Sequence, residues 1–390
     1  MSICKILGQV VVVVVRVEVR VASSSPITHR RFSSSSIQVE EASQNQVSFS
    51  ANYLVNTCGF DPEKAISASK YVKFQAPVKP DSVLAFLKNH GFTKTQITRC
   101  ITRRPVVLSS NLDKTLLPKV EFLKSKGIPT TDIAEILSRT PAMLTRSLEN
   151  QILPSFSFLS SFLESEEKAI AAIKRWGDIV LCDLETCLQP NIEILQHAGV
   201  PAKNIVTVLQ YQPRAFISGT NRFQQVVEEV KKMGFNPARV NFMLAIVALR
   251  TMSKSTWNKK IQVYKTWGWS DNEILLAFRK HPYCLVASEY KIMRVMNFFV
   301  NKVGYEPSVI AKIPILTSFS LERRIFPRYA VYEVLVSKGL VTDQDFRLTT
   351  ALQISEKSFL DRFLKPHERQ APELLKLYKK KHCLAKAHPL

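Results

Sequence analysis

Glycine is scarce in this chain, with eleven residues in 390 against twenty prolines. Fingerprints that need several close glycines to admit a phosphate are poorly supplied, and neither G-x-G-x-x-G nor G-x-x-x-x-G-K-S/T occurs. The seven cysteines (Cys4, Cys58, Cys100, Cys182, Cys187, Cys284 and Cys383) are odd in number, scattered, and form no C-x-x-C pair. That pattern supports neither a zinc site nor a disulfide framework, so the close pair Cys182 and Cys187 reads as two small buried hydrophobes. Long apolar runs are missing as well. The run from Ile6 to Val15 is broken at once by Arg16, Glu18 and Arg20, whereas a membrane span needs ~20 apolar residues. The later run from Phe242 to Leu249 has the length of a buried helix, so no membrane partner is expected. Histidines at 29, 90, 197, 281, 367, 382 and 388 never recur beside a carboxylate or a cysteine. Neither an enzyme nor a metal or cofactor is therefore expected. Glu164, Glu166 and Glu167 read as a solvated face.

Acidic residues are also in deficit. Against 32 Asp+Glu stand 54 Lys+Arg, a formal charge of +22, which calls for an anionic partner. Of that excess, +17 lies beyond residue 200, whereas a general solubility device would be spread along the chain.

Residues 1–39 carry Lys5, Arg16, Arg20, Arg30 and Arg31 against the single acid Glu18, and run into Ser33 to Ser36. This is transit-peptide composition. The stretch Arg30-Arg31-Phe32-Ser33 resembles plant mitochondrial cleavage sites, which favours mitochondrion over chloroplast. The expected organisation is a cleaved leader over 1–39, a helical body over 40–380 and a basic tail over 381–390.

What the chain does have is a period. Glycines at 91, 127, 199, 234, 268, 304 and 339 are separated by 36, 72, 35, 34, 36 and 35 residues. The double gap hides a unit near residue 163 that lacks its glycine, and Gly59 marks a first unit. Four residues before each glycine stand Leu87, Leu123, Leu195, Val230, Tyr264, Val300 and Leu335; six after stand Ile97, Ile133, Ile205, Val240, Ile274 and Ile310. Fourteen after comes proline at 105, 141, 213 and 282, and a second proline recurs at 118, 154 and 190.

Each mark has a physical job. Pro118 can open a helix, because its missing N–H would lack a partner in the first turn anyway. That helix buries Val120 and Leu123, and Gly127 closes it in the left-handed conformation. A second helix opens near Thr131 or Asp132 as N-cap, buries Ile133, Ile136 and Leu137, and ends before Pro141. The PAML and PYCL segments fit a short 3₁₀ turn. One such pair cannot enclose its own apolar stripe, so units must stack. The expected fold is all-α, a curved α-solenoid of about nine repeats of ~35 residues.

Stretches such as PDSVLAFLKNHGFTKTQITRCITRRPVVL and LLPKVEFLKSKGIPTTDIAEILSRTPAML resemble the repeat of the mitochondrial transcription termination factor (mTERF) family, as does VGYEPSVIAKIPILTSFSLERRIFPRY. The resemblance covers nearly the whole expected mature chain. Pentatricopeptide repeats share the period but not a closing glycine followed fourteen residues later by proline. The likeness implies units of two α-helices and a 3₁₀ turn, a basic concave groove, and binding of organellar nucleic acid in transcription termination, other transcriptional control, or intron splicing. Two units depart from the pattern, with Gly177 and Ala248 where proline belongs.

In a stack of units, a cation recurring at one phase forms a stripe. Nine residues after the proline stand Lys114, Arg222, Lys291 and Arg323, with Arg324 and Arg328 close behind. Helix energetics do not explain this stripe, because the start of a helix prefers an anion. Two residues before the proline stand Arg103, Arg139, Lys280 and Lys312, and Arg175 holds the same phase ahead of Gly177. Here the C-terminal end of the helix dipole supplies an equally good structural reason. The expected nucleic-acid-binding set is Lys114, Arg222, Lys291, Arg323, Arg324, Arg328, Lys280, Lys312 and Arg250. Duplex DNA is favoured and RNA remains open, bound by a protein monomeric on its target. A pure protein-interaction solenoid is the competing class. Tyr211, Tyr283 and Tyr290 are nominees for stacking on an unpaired base, with helix packing as the commoner role for such rings.

Overall fold

The computed structural model describes residues 49–376 and Tyr378, apart from Lys73 and Asp343. The expected leader over 1–39 and tail over 381–390 lie outside them. The described residues are helical, with no strand among them. They form two compact units, one ending at Gln224 and one starting at Gln225. Within each, helix pairs repeat and stack as an all-α solenoid.

The repeat over 112–145 shows how the sequence builds the unit. Asn111 caps the first helix through its side chain, which accepts the Lys114 N–H at 2.8 Å. The first turn, Leu112–Leu116, is π-helical, and Leu117 N–H returns to the Leu112 carbonyl before the α-helix Leu117–Ser125 begins. Pro118 has no N–H to offer, and its ring would collide with the Lys114 carbonyl in a regular turn. Widening the turn by one residue moves that carbonyl aside. The same wide turn stands ahead of Pro154, Pro190 and Pro327, over Leu148–Ile152, Leu184–Leu188 and Leu321–Ile325.

Gly127 ends the first helix at φ 72°. Its N–H reaches Lys124 O, and Ile128 N–H reaches back to Leu123 O, a Schellman closure. That bond explains the apolar phase four residues before each glycine. Leu87, Leu123, Leu195, Val230, Tyr264 and Leu335 accept from Phe92, Ile128, Val200, Phe235, Trp269 and Leu340, and each pair closes the helix end with an apolar contact. Nine residues adopt positive φ among the described ones: eight periodic glycines and Glu164 at 56°. Glu164 therefore fills the vacant phase near 163.

The second helix spans Thr130–Arg139 and is capped by Pro129, not by Thr131 or Asp132. The Pro129 carbonyl receives both the Asp132 and Ile133 N–H groups at 2.9 Å, which places Asp132 inside the first turn. Val120, Leu123, Ile133, Ile136 and Leu137 are all buried. Ahead of the proline that follows each of these second helices the backbone leaves the helical region, at Thr140, Gln212, His281 and Ile313. Second helices of successive units then pack on one another within each compact unit.

The two departures behave differently. Trp176 takes the same extended backbone as the pre-proline residues, and Gly177–Leu181 still forms the 3₁₀ turn. A Cβ at Gly177 would lie 2.7 Å from Thr140 Oγ1, so the unit keeps its geometry and uses the missing side chain for close approach. With Ala248 in place of proline, by contrast, the helix Val240–Arg250 runs on without a break. Its residues Phe242 to Ala248 are buried on every side, and no 3₁₀ turn follows.

Candidate nucleic-acid interface

The ends of the second helices define the second stripe physically. Arg103, Arg139, Arg175, Arg250, Lys280 and Lys312 are each the last residue of a second helix. Tyr211 takes that place in the helix Ala202–Tyr211. Several of these side chains reach the corresponding helix end in the next repeat. Arg103 Nη1 donates to Arg139 O at 2.6 Å, Arg139 Nη2 to Arg175 O at 3.4 Å, and Lys280 Nζ to Lys312 O at 3.3 Å. Arg175 lies over the Tyr211 ring, 5.7 Å from its centroid. The stripe is therefore in part a ladder, in which Arg103, Arg139 and Lys280 settle on the negative end of the next helix dipole. Arg103, Arg139, Arg175, Lys280 and Lys312 remain exposed. Asp178 sits in the field of Arg103 and Arg214. Burial raises its carboxyl above the usual range, and those two charges oppose the rise. Arg250 stands four residues past the phase at which its neighbours' helices end, and it is half-buried.

The first stripe divides. Lys114, Arg222 and Arg323 are exposed, and among the described residues their side chains make no hydrogen bond or ion pair. Lys291, Arg324 and Arg328 belong elsewhere. Lys291 Nζ donates to Ser318 O at 2.8 Å, and burial lowers its ammonium to about 8. Arg324 donates to Leu352 O and Ile354 O at 2.7 and 2.6 Å. Burial, and next the charge of Arg328, bring its guanidinium down to about 10. Arg328 is 1% exposed. It bonds Ala351 O and Ile354 O, pairs with Glu356 at 3.1 Å and lies over the Phe359 ring at 4.5 Å. A cation so enclosed is out of reach of a phosphate, so Arg328 leaves the expected set, and Lys291 and Arg324 contribute at most the edge of a half-buried group.

These three residues belong to a clasp that sequence reading missed. The first helix sends a polar side chain to the carbonyls ending the same unit's short turn. Gln151 Nε2 reaches Val180 O and Cys182 O, Asn191 Nδ2 reaches Phe216 O and Ser218 O, and Lys260 Nζ reaches Leu285 O and Val286 O. Those carbonyls have no helical donor of their own, so the side chains satisfy them. The wide turn hides the pattern. It adds one residue, so the inward position falls four after the cap at Gln151, Cys187 and Arg324 but three after it at Lys291. Counted from the proline or the cap, inward and outward cations therefore mix.

Of the three tyrosines, Tyr283 is 3% exposed and is a packing residue. Tyr211 lies beneath Arg175, and Tyr290 is 67% exposed with Arg294 over its ring at 5.5 Å. Among the described residues no group of three or more His, Cys, Asp or Glu side chains is placed to hold a metal ion. No described helix is long and apolar enough to cross a membrane.

Stacked helix pairs, their first helices closed by left-handed residues and their second helices followed by an extended residue and a short turn, define a helical-repeat protein that carries rows of cations at its helix ends. The mTERF family model matches residues 84–248 and 246–360, and the chain belongs to that family. It is 26% identical over 260 residues to a protein of Arabidopsis thaliana described as transcription termination factor MTERF8, chloroplastic. The match takes in 66% of this chain and 51% of that protein, so the chain spans about half of the relative's length.

Proposed function

We propose that this protein binds nucleic acid in an organelle and regulates gene expression there, with duplex DNA and control of transcription termination as the favoured target and outcome. The observation that carries this reading is the placement of Lys114, Arg222 and Arg323. They occupy the same position in three repeats, are exposed, and are not engaged by the protein's own groups. Family membership and the transcription-termination name of the relative support it. Cations arrayed this way neutralise phosphates and release counterions, which yields affinity with little sequence information. The helix-end ladder adds a second row, already occupied by carbonyls, that a phosphate can share.

Binding of the mature protein to duplex DNA, single-stranded RNA and structured intron RNA, titrated at several salt concentrations, tests the reading. Replacing Lys114, Arg222 and Arg323 together by Gln should flatten the salt slope on the true target by roughly three phosphate contacts, ~0.9 in log–log slope for each on duplex DNA. An unchanged slope removes this row from the interface, and a stronger response on RNA moves the target to RNA. For the organelle, the Arg30–Ser33 composition supports mitochondrion and the relative's chloroplast address weighs against it. A fluorescent fusion of the first 60 or so residues decides between the two.

A further inference from the structure

Cys182 and Cys187, the close pair in the sequence, also meet in the structure, and the nucleic-acid reading uses neither. They flank the start of a first helix. Cys182 is the last residue before the cap Asp183, and Cys187 stands four after that cap, inside the wide turn Leu184–Leu188. The backbone there is that of the other repeats. Ser110, Arg146, Cys182 and Phe319, each just ahead of a cap, are all extended. Five residues after each cap an N–H returns to the cap carbonyl, as Leu188 does to Asp183 O at 3.1 Å. In the repeat that starts at Ser320 the same two positions hold Phe319 and Arg324, and Arg324 lies over the Phe319 ring, 4.6 Å from its centroid. The turn thus folds these two side chains against each other, and at 182 and 187 both are thiols.

Each thiol has a carbonyl partner that it can leave. Cys182 Sγ donates to Asp183 O at 3.4 Å, and Cys187 Sγ to Ser218 O at 3.3 Å. Ser218 O keeps a second donor, Asn191 Nδ2 at 2.9 Å, so the clasp survives the loss of the Cys187 S–H. Cys182 is buried and Cys187 half-buried. Burial raises the Cys182 thiol, and Cys187 beside it raises it further. Cys58, Cys100 and Cys284 are buried as well, and none of them has another thiol among the groups that act on it.

We propose that Cys182 and Cys187 are a redox dithiol, which a small disulfide of the glutathione class closes into a reversible disulfide bond. The thiolate of the more exposed Cys187 attacks the small disulfide, forms a mixed disulfide and expels one small thiol. The Cys182 thiolate then attacks the Cys187 sulfur, expels the second small thiol and completes the S–S bond. Two electrons and two protons pass from the cysteines to the two released thiols. The new bond spans only the cap and the first turn, so it fixes the entry to helix Gln189–His197 and leaves the rest of the repeat in place. This device stands whether or not the chain binds nucleic acid.

The test incubates the full mature chain with oxidised glutathione, alkylates the remaining thiols in denaturant, and weighs the unreduced digest by mass spectrometry. The Cys182 and Cys187 segment should be lighter by two hydrogens, escape alkylation, and revert with dithiothreitol, while Cys58, Cys100 and Cys284 are alkylated. Cys182→Ser should stop at the mixed disulfide on Cys187. Amide exchange over Leu184 to Leu188 should slow several-fold when the parent protein is oxidised, and stay unchanged in Cys187→Ser under the same treatment. Thiols that persist in oxidised glutathione, a parent protein that stops at the mixed disulfide, or amides that do not slow each overturn the proposal.

Discussion

At the scale of single residues, two positions depart from the repeat in opposite ways. Glu164 holds a left-handed backbone that a side chain resists by ~1–2 kcal/mol, so Glu164→Gly should raise stability by roughly 0.5–1 kcal/mol in urea melts, part of the gain being offset by glycine's looser unfolded chain. Gly177 has the opposite problem. Restoring a side chain there with Gly177→Ala should destabilise by ~1–3 kcal/mol, because Thr140 Oγ1 occupies the space, and the loss should shrink in a Thr140→Ala background. Two bases, the buried His281 and the half-buried Lys291, give the protein a pH signature of one sign. His281 is bonded to Ser318 Oγ at 2.7 Å and is lowered to about 4 by burial and then by the charge of Lys291; Lys291 is lowered to about 8. Each is depressed relative to the unfolded chain, so the unfolded state binds more protons between the two values of each group. Stability should therefore fall as pH drops from about 6.5 to about 4, and rise as pH climbs from about 8 toward 10.5. Melting temperatures across those windows should show both slopes, the first flattening in His281→Asn and the second in Lys291→Met.

At the scale of the helix pair, the clasp separates cations that hold the repeat together from cations that face out. Arg328→Leu leaves the Ala351 carbonyl without a donor, while Ile354 O keeps Arg324 and Glu356 keeps the Tyr378 hydroxyl, and should lower stability by ~1–3 kcal/mol while leaving the salt slope of nucleic-acid binding untouched. Loss of slope in that variant would return Arg328 to the interface. The period, the glycine closures and the buried positions +6 and +10 were legible in the sequence, because each is a local rule: a left-handed closure, a helical spacing, a proline that stops a helix. Ile133, Leu137, Ile205 and Leu209 are as buried as the spacing requires. The inward turn of Lys291, Arg324 and Arg328 was not legible. It depends on a one-residue widening ahead of a proline and on carbonyls some 25–30 residues away, and neither leaves a mark on composition. The same widening explains why Pro118 sits second in its α-helix with a further turn before it.

At the scale of the whole molecule, repeats that contact only their neighbours confine a defect to its vicinity. Hydrogen exchange should reveal this. Arg328→Leu should accelerate amides in helices Pro307–Lys312 and Phe326–Ser337, and leave those of Leu117–Ser125 and Thr130–Arg139 at parent rates. Uniform acceleration along the chain would mean a single cooperative block. The clasp also changes how the formal charge of +22 is to be understood. Lys260, Lys291, Arg324 and Arg328 count toward that total yet are held by backbone oxygens inside the units. Exchanging one basic residue for the other should therefore sort positions cleanly. At 114, 222 and 323 arginine and lysine should be interchangeable, whereas at 260 and 328 the shape of the cation is part of the joint, and a change that preserves charge should still unsettle the repeat.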